Sequence, residues 1–370
     1  MKTHEATVSS EERMPFSRFA TNFEKGGALP VFTLLEPDTD GGMGAVLVGD
    51  YVANDFVDYM EHVDPSFRER WLVVSTTQSD TVPVDVTRTD CNIFSNKSGE
   101  HEYLNGAARN VPHSLALADG LFVDPDIFSP SSEPQQPESD ILYIAKWFPT
   151  KKTELLLEVA EAHPEISIMI YGWLMASERK HADSVQYRKM VMGAAALLGN
   201  VTIYDADDFS TTGDHVNPDG STVLGPLTKV QIRDRFMHKS NTGIYLSEET
   251  EAVNRFATEM LACDKPMIVA LPTHGGMERF MQDGLTSKFC ERTPEGIAEA
   301  YHDIMDHRQR YSPRESFLSF GGREKSNATL RGIVEQLAGA QGRRLSSSPW
   351  NTYGGDLWTL PENYNRIRSN

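Results

Sequence analysis

Glu251 and Glu259 stand eight positions apart in the stretch Glu-Ala-Val-Asn-Arg-Phe-Ala-Thr-Glu, and this spacing is the chain's most specific chemical signal. Asn254 is a good helix cap, and Phe256, Met260 and Leu261 then fall on one apolar face. Glu251 therefore belongs to the entering loop and Glu259 lies about a turn and a half inside the helix. Eight helical residues span about 12 Å, too far for two carboxylates to hold one atom but suited to the two ends of an elongated ligand. The free backbone N–H groups at the helix start lie between them, where an anion is favoured. A ligand with hydroxyls at both ends and phosphates in the middle is a nucleotide sugar. Glutamates on a solvated helix produce the same spacing by chance, so the rest of the chain has to supply the remainder of such a site.

Cations for the phosphates are found after the apolar run 141–145. Lys146, Lys151 and Lys152 fall within seven residues, between that run and a helix expected over 153–162, on which Leu155, Leu156 and Val159 are apolar. In open α/β sheets ligands bind at the carboxyl ends of strands, which is where this sequence places the lysines. The strand expected over 166–171 ends at Gly172. Upstream, the run 29–35 empties into a turn containing Gly41, Gly42 and Gly44. Beyond it Ala45, Val46, Val48, Val52, Phe56, Val57 and Met60 recur at helical spacing. A strand, a glycine turn and a helix follow, with the helix N-terminus presented to a ligand.

Further strands are expected over 71–75, 92–95, 201–204, 243–246 and 267–270, and further helices over 229–238, 297–305 and 327–337. Strands alternating with helices predict an α/β protein of two Rossmann-like domains. The Pro/Ser/Gln-rich stretch 129–138 reads as a linker. The expected organisation is an N-terminal domain over 1–128 with a loose arm at 1–28, a hinge at 129–140, a second domain over 141–340, and an irregular tail over 341–370. Trp350, Tyr353 and Trp358 in that polar tail predict that it docks on the body of the protein.

The chain has 370 residues and a formal charge of −18. Most of the acidic excess lies in residues 1–138, a surface that repels nucleic acid and anionic membrane. No apolar run is long enough for a membrane span, and the first 30 residues lack the pattern of a secretory signal. Cys91, Cys263 and Cys290 form no paired metal-ligand spacing and suit a reducing compartment. A cytoplasmic protein is expected.

From about residue 29 to residue 337 the chain resembles the retaining glycosyltransferases of family 4, which have the GT-B fold of two Rossmann-like domains facing across a cleft. The strand 141–145, Lys146 and Lys151, and the apolar helix after them resemble that family's strand, Gly-Arg, Lys-Gly and Leu-Leu-x-Ala pattern. Glu251 and Glu259 match its Glu-x7-Glu motif, and 259–266 is similar to Glu-Ala-Met-Ala-Cys-Gly-x-Pro. His274, Gly275 and Gly276 through Thr286 resemble the turn and the Asp-Gly-x-Thr-Gly that follow. Gly41, Gly42 and Gly44 match the acceptor-side glycine loop. There are departures: Ala252-Val253-Asn254 replaces Gly-Phe-Gly, with Asn254 able to tolerate a left-handed backbone; Lys146 replaces Arg; Asp264 and Ser287 replace glycines.

The resemblance implies a hexosyltransferase that takes a sugar from a UDP- or GDP-linked donor to a hydroxyl acceptor, a carbohydrate in first place, with retention and without a metal or other cofactor. Glu251 would hold the transferred sugar, Glu259 the ribose, and Ala252, Val253 and Asn254 the sugar and diphosphate. Lys146 and Lys151 would neutralise the leaving diphosphate, with Lys152 and Gly172 at the donor and Gly41, Gly42 and Gly44 toward the acceptor. Two other readings follow from the same residues. Residues 237–247 and 93–95 faintly resemble phage enzymes that glucosylate hydroxymethylated DNA bases, and a fold of this kind also serves non-catalytic nucleotide-sugar or glycan binding.

Overall fold

The structure, a computed structural model, describes residues 30–77, 86–94, 113–114, 117–133, 135–174, 182–206, 215–216, 222–224, 227–248, 253–273, 277 and 280–354. The chain divides into two compact units, one of residues 1–122 together with 323–370 and one of residues 123–322.

The first unit holds a five-stranded sheet in the order β1 (Val31–Leu35), β2 (Gly44–Gly49), β3 (Trp71–Thr77), β4 (Cys91–Phe94) and β5 (His113–Ser114). β2 through β5 run parallel. β1 runs antiparallel to β2, with Val31 opposite Val48 and Thr33 opposite Val46. This corrects the expected strand, glycine turn and helix. Residues 44–49 form a strand, and the helix begins only at Ala53 (Ala53–Val63). Every residue of β2 is buried. Ala45 and Leu47 enter one apolar cluster while Val46 and Val48 enter the cluster on the opposite face. A strand covered on both faces reads as a continuous apolar run, and such a run mimics helical spacing when a helix follows it closely.

Among the described residues the second unit holds an eight-stranded sheet. Its strands are β6 (Ser139–Lys146), β7 (Ile168–Trp173), β8 (Val201–Ala206), β9 (His215–Val216), β10 (Thr222–Leu224), β11 (Ser240–Tyr245), β12 (Met267–Leu271) and β13 (Ser287–Glu291). Their spatial order is β13-β12-β11-β6-β7-β8-β10-β9, parallel throughout except for the β9–β10 pair. From β6 the chain first builds outward through β7 and β8, then returns to add β11, β12 and β13 on the other side. The β6–β11 boundary is therefore a topological switch point, where ligands of open α/β sheets bind outside the strands' carboxyl ends.

One face of this sheet carries Ile141, Tyr143, Ile168 and Ile170 against helices Thr153–Ala162, Ala182–Ala195 and Pro294–Asp306. Helix Arg255–Ala262 covers part of the other face, since a Cβ on Gly243, in register with Leu142, would meet Met260 Cγ at 3.1 Å. Helix Thr153–Ala162 occupies the residues its apolar spacing predicts. Helix Ala182–Ala195 carries no comparable signal, because it buries only Ser184, Tyr187, Val191 and Ala195.

The boundaries of the units differ from the expected 128/129 and 340/341. The segment after Phe122 belongs to the second unit. There the Pro125 and Phe128 carbonyls accept from Arg314 at 3.1 and 3.0 Å, and His238 Nε2 lies 2.7 Å from the Ser129 carbonyl. Helix Arg323–Ala340, expected in the second domain, packs Leu330, Val334 and Ala338 into the first unit's core, and Ser326 Oγ donates to the Leu121 carbonyl at 2.8 Å. The described part of the tail packs on the first unit. The Met43 N–H donates to the Arg344 carbonyl and the Ser346 N–H to the Met43 carbonyl, the Asn351 N–H donates to the Leu34 carbonyl, and Tyr353 is 1% exposed between Phe32 and Phe122. Trp358 lies outside the described residues. No helix among the described residues is long and apolar enough to cross a membrane.

The tail thus completes the core of the first unit. Tyr353→Ala should lower unfolding free energy by about 3 kcal/mol, the cost of emptying an aromatic core site. Denaturant titration checks this, and a loss below about 0.5 kcal/mol would make the tail peripheral.

Candidate functional site

The carboxyl ends of β6 and β11 bring together two segments that are about a hundred residues apart in sequence. Lys146 ends β6, and its Nζ lies 5.6 Å from the centroid of the Phe148 ring. The chain then turns through Pro149–Lys151 to Lys152, which takes a left-handed conformation (φ 54°) and caps helix Thr153–Ala162. Lys151 is buried. Its Nζ donates to Ser247 Oγ at 3.2 Å, and its carbonyl accepts from the Tyr143 hydroxyl at 2.5 Å. On the β11 side the Glu248 N–H donates to the Thr150 carbonyl at 2.8 Å.

The three lysines are therefore not equivalent. Lys152 Nζ sits 3.1 Å from Glu248 Oε2, and Glu248 also pairs with Arg292 at 3.3 Å. Lys152 ties the turn to β11 at the protein's surface, whereas Lys151 places an ammonium group inside, where a charge is weakly screened and an incoming anion gains most. The sequence assigns no donor-site role to Ser247 or Glu248. The only signal for them is their position immediately beyond the strand 240–245.

Gly172 has a packing reason of its own. A Cβ there would lie 2.2 Å from Trp147, whose indole crosses the strand at this point. Trp147 Nε1 donates to Asp205 Oδ1 at 2.7 Å, and the fully buried Asp205 carboxylate also pairs with Arg188. This buried network holds the rim of β6, β7 and β8 together.

Glu251, Ala252, His274, Gly275 and Gly276 lie outside the described residues. From Val253 onward the expected helix start is present. The Asn254 side chain accepts from the Ala257 N–H at 3.2 Å and caps helix Arg255–Ala262, which buries Phe256, Ala257, Met260 and Leu261. Asn254 itself is extended (φ −68°), so its role is capping and not a left-handed turn. The two replaced glycines are also accounted for. Asp264 is left-handed (φ 60°), and its carboxylate accepts from the Arg314 N–H at 3.2 Å. Ser287 is fully buried beside Gln282 and Thr286.

Glu259 lies one turn inside the helix with its side chain 13% exposed, and Arg255 Nε is 3.2 Å from Oε1. Burial pushes its carboxyl from 4.5 up to about 7, against the pull of Arg255 and Lys229. A carboxylate short of hydrogen-bond donors behaves in this way, and a pair of ligand hydroxyls would supply them.

In the first unit Gly41, Gly42 and Gly44 lie in the β1–β2 hairpin and not at a helix start. Gly41 has φ +78°; a Cβ on Gly42 would meet Asp38, and one on Gly44 would meet Trp71. Asp38 accepts from the Gly42 and Ser347 N–H groups at 2.6 and 3.0 Å and pairs with Arg344, and backbone bonds from Ser347 and Gly42 hold its carboxyl down at about 2. Among the described residues no group of three His, Cys, Asp or Glu side chains is arranged to hold a metal.

No protein-family profile and no curated protein sequence matches the chain. Solved structures do. Sucrose-phosphate synthase from Thermosynechococcus elongatus matches with a TM-score of 0.57 at 14% identity, over 80% of this chain and 74% of that one. Anabaena HepE in complex with UDP and glucose matches at 0.56 and 12% identity, over 78% and 77%. A glycosyltransferase from Rickettsia africae matches at 0.54 and 12% identity, over 77% and 80%. The chain has the GT-B fold, α/β with two Rossmann-like units.

The raised Glu259 carboxyl has a signed consequence. Folding favours its neutral form, so its contribution to stability is complete below about pH 4.5 and is lost as pH rises through about 7. Glu259→Gln, neutral at all pH, should gain thermal stability relative to the unsubstituted protein between about pH 5 and about pH 8. A difference in melting temperature that stays constant with pH would contradict this.

Proposed function

We propose that this protein is a retaining glycosyltransferase that moves a sugar from a UDP- or GDP-linked donor to a hydroxyl acceptor without a metal ion. The observation that carries the reading is the buried Lys151 ammonium, tied to Ser247 at the β6–β11 switch point. Beside this stands a helix capped by Asn254 that bears a carboxyl of raised pKa. The solved structures with the same fold support it; one of them, HepE, is in complex with UDP-glucose.

Bond breaking at the anomeric carbon leaves negative charge on the departing nucleoside diphosphate. Fixed cations lower that barrier because the charge they meet is larger in the transition state than in the ground state. Lys151 and Lys146 have this role. Lys151 needs little reorganisation, since its stem is buried and Ser247 already orients its head. Lys152 stiffens the same turn through Glu248. Glu259 accepts hydrogen bonds from the two ribose hydroxyls. Glu251 holds the hydroxyls of the transferred sugar, and the N–H groups of Ala252, Val253 and Asn254 approach the sugar and diphosphate. In front-face attack the acceptor oxygen bonds to the anomeric carbon on the side the diphosphate leaves, and a leaving phosphate oxygen takes the acceptor proton, so configuration is retained. In this reading Gly41, Gly42 and Gly44 serve the acceptor, for which a carbohydrate hydroxyl suits the acidic first part better than DNA does.

Steady-state kinetics with a panel of UDP- and GDP-sugars tests this reading. Lys151→Ala and Glu251→Ala should each lower kcat by on the order of a hundredfold, the scale of losing one transition-state contact, with folding intact and turnover unaffected by EDTA. Lys152→Ala should have a much smaller effect. Equal turnover in all three variants would contradict the assignment, and donor binding without hydrolysis or transfer would make the protein a binder.

A further inference from the structure

Trp173 has no part in the chemistry described above, yet it ends β7 at the same rim as the lysines. Its register partners are Lys146 on β6 and Ala206 on β8, and residues in register on neighbouring parallel strands point to the same face. That face is the one opposite Ile141, Tyr143, Ile168 and Ile170. It is also the face covered by helix Arg255–Ala262, as the approach of Met260 to Gly243 shows. Trp173, Lys146 and the helix carrying Glu259 therefore belong to one side of the sheet, at or near its ligand-binding edge.

The Trp173 ring is supported from below. It lies 5.9 Å from the Tyr171 ring at an interplanar angle of 36°, and Tyr171 is stacked on Phe236 at 4.8 Å and 21°. Tyr204 meets the same Phe236 edge-on at 5.3 Å. Phe236 and Tyr171 are buried while Trp173 is partly buried, so the aromatic column ends at the rim in an indole that keeps some exposed surface. Its backbone is fixed as well, because the Trp147 N–H donates to the Trp173 carbonyl at 3.0 Å.

We propose that Trp173 is the stacking platform for the nucleobase of the donor. This rests on the nucleotide-sugar reading and extends it to a part of the donor that none of the carboxylates and lysines recognises. With the diphosphate at Lys146 and Lys151, and the ribose at Glu259, the planar base is the group left to place on the same face. An indole one strand away, about 4.8 Å along the sheet, offers it a flat apolar surface held rigid from beneath. Stacking on an indole is tolerant of base identity, since every base has a π-face. Trp173 therefore gives affinity for the nucleoside, and selection between bases lies with other groups.

The test is equilibrium binding of UDP, GDP and inorganic pyrophosphate to the full chain and to Trp173→Ala and Trp173→Phe, with near-ultraviolet circular dichroism as the folding check. The expected result is a loss of nucleoside diphosphate affinity of roughly tenfold or more in Trp173→Ala, near-full retention in Trp173→Phe, and pyrophosphate affinity unchanged in both. Nucleotide should also quench an indole emission component that Trp173→Phe lacks, a readout that does not need the alanine variant to fold. Equal nucleoside diphosphate affinity in Trp173→Ala, or a parallel loss of pyrophosphate, would overturn the platform while leaving the donor reading in place. Failure of the unsubstituted protein to bind any nucleoside diphosphate would overturn both.

Discussion

A buried ammonium group has to be held by something, and in this protein the Lys151–Ser247 bond at the β6–β11 switch point provides a partner. Burying a charge is costly unless it is hydrogen-bonded, so the turn 147–152 and the exit of β11 must keep their positions relative to each other. The surrounding structure has this effect. Tyr143 holds the Lys151 carbonyl, the Glu248 N–H holds that of Thr150, and Glu248 bridges Lys152 and Arg292 outside. Trp147 locks the other flank through Asp205 and Arg188. The Lys151 ammonium is thereby held in one place by the fold.

The second unit was largely legible in the sequence where a single element carries both a cap and a periodic face. Asn254 with Phe256, Met260 and Leu261, and the helix following Lys152, are such cases. Legibility failed where burial is two-sided or nearly absent. β2 is buried on both faces and looked like the start of the following helix, while helix Ala182–Ala195 buries too few apolar residues to show a period. The crossing of helix Arg323–Ala340 to the first unit depends on long-range packing of Leu330, Val334 and Ala338, which no local pattern encodes.

The site was legible in composition but not in roles. The clustering of three lysines points to phosphate without telling them apart by burial, and only the fold shows one buried, one paired with Glu248 and one at the strand end. The departures from the glycosyltransferase pattern have local physical substitutes: Asp264 takes the left-handed position with its carboxylate on the Arg314 N–H, and Asn254 serves as an extended cap. The glycines at 41, 42 and 44 instead allow a tight hairpin to lie against Asp38, Trp71 and the tail.

The proposed glycosyl transfer depends most on where a donor's diphosphate binds. A crystal structure of the protein soaked with UDP or GDP tests this directly. Diphosphate oxygens within hydrogen-bond distance of Lys151 Nζ, about 2.7–3.2 Å, with the ribose at Glu259, are the predicted result. A nucleotide bound away from the β6–β11 rim, with Lys151 still bonded only within the protein, would contradict it.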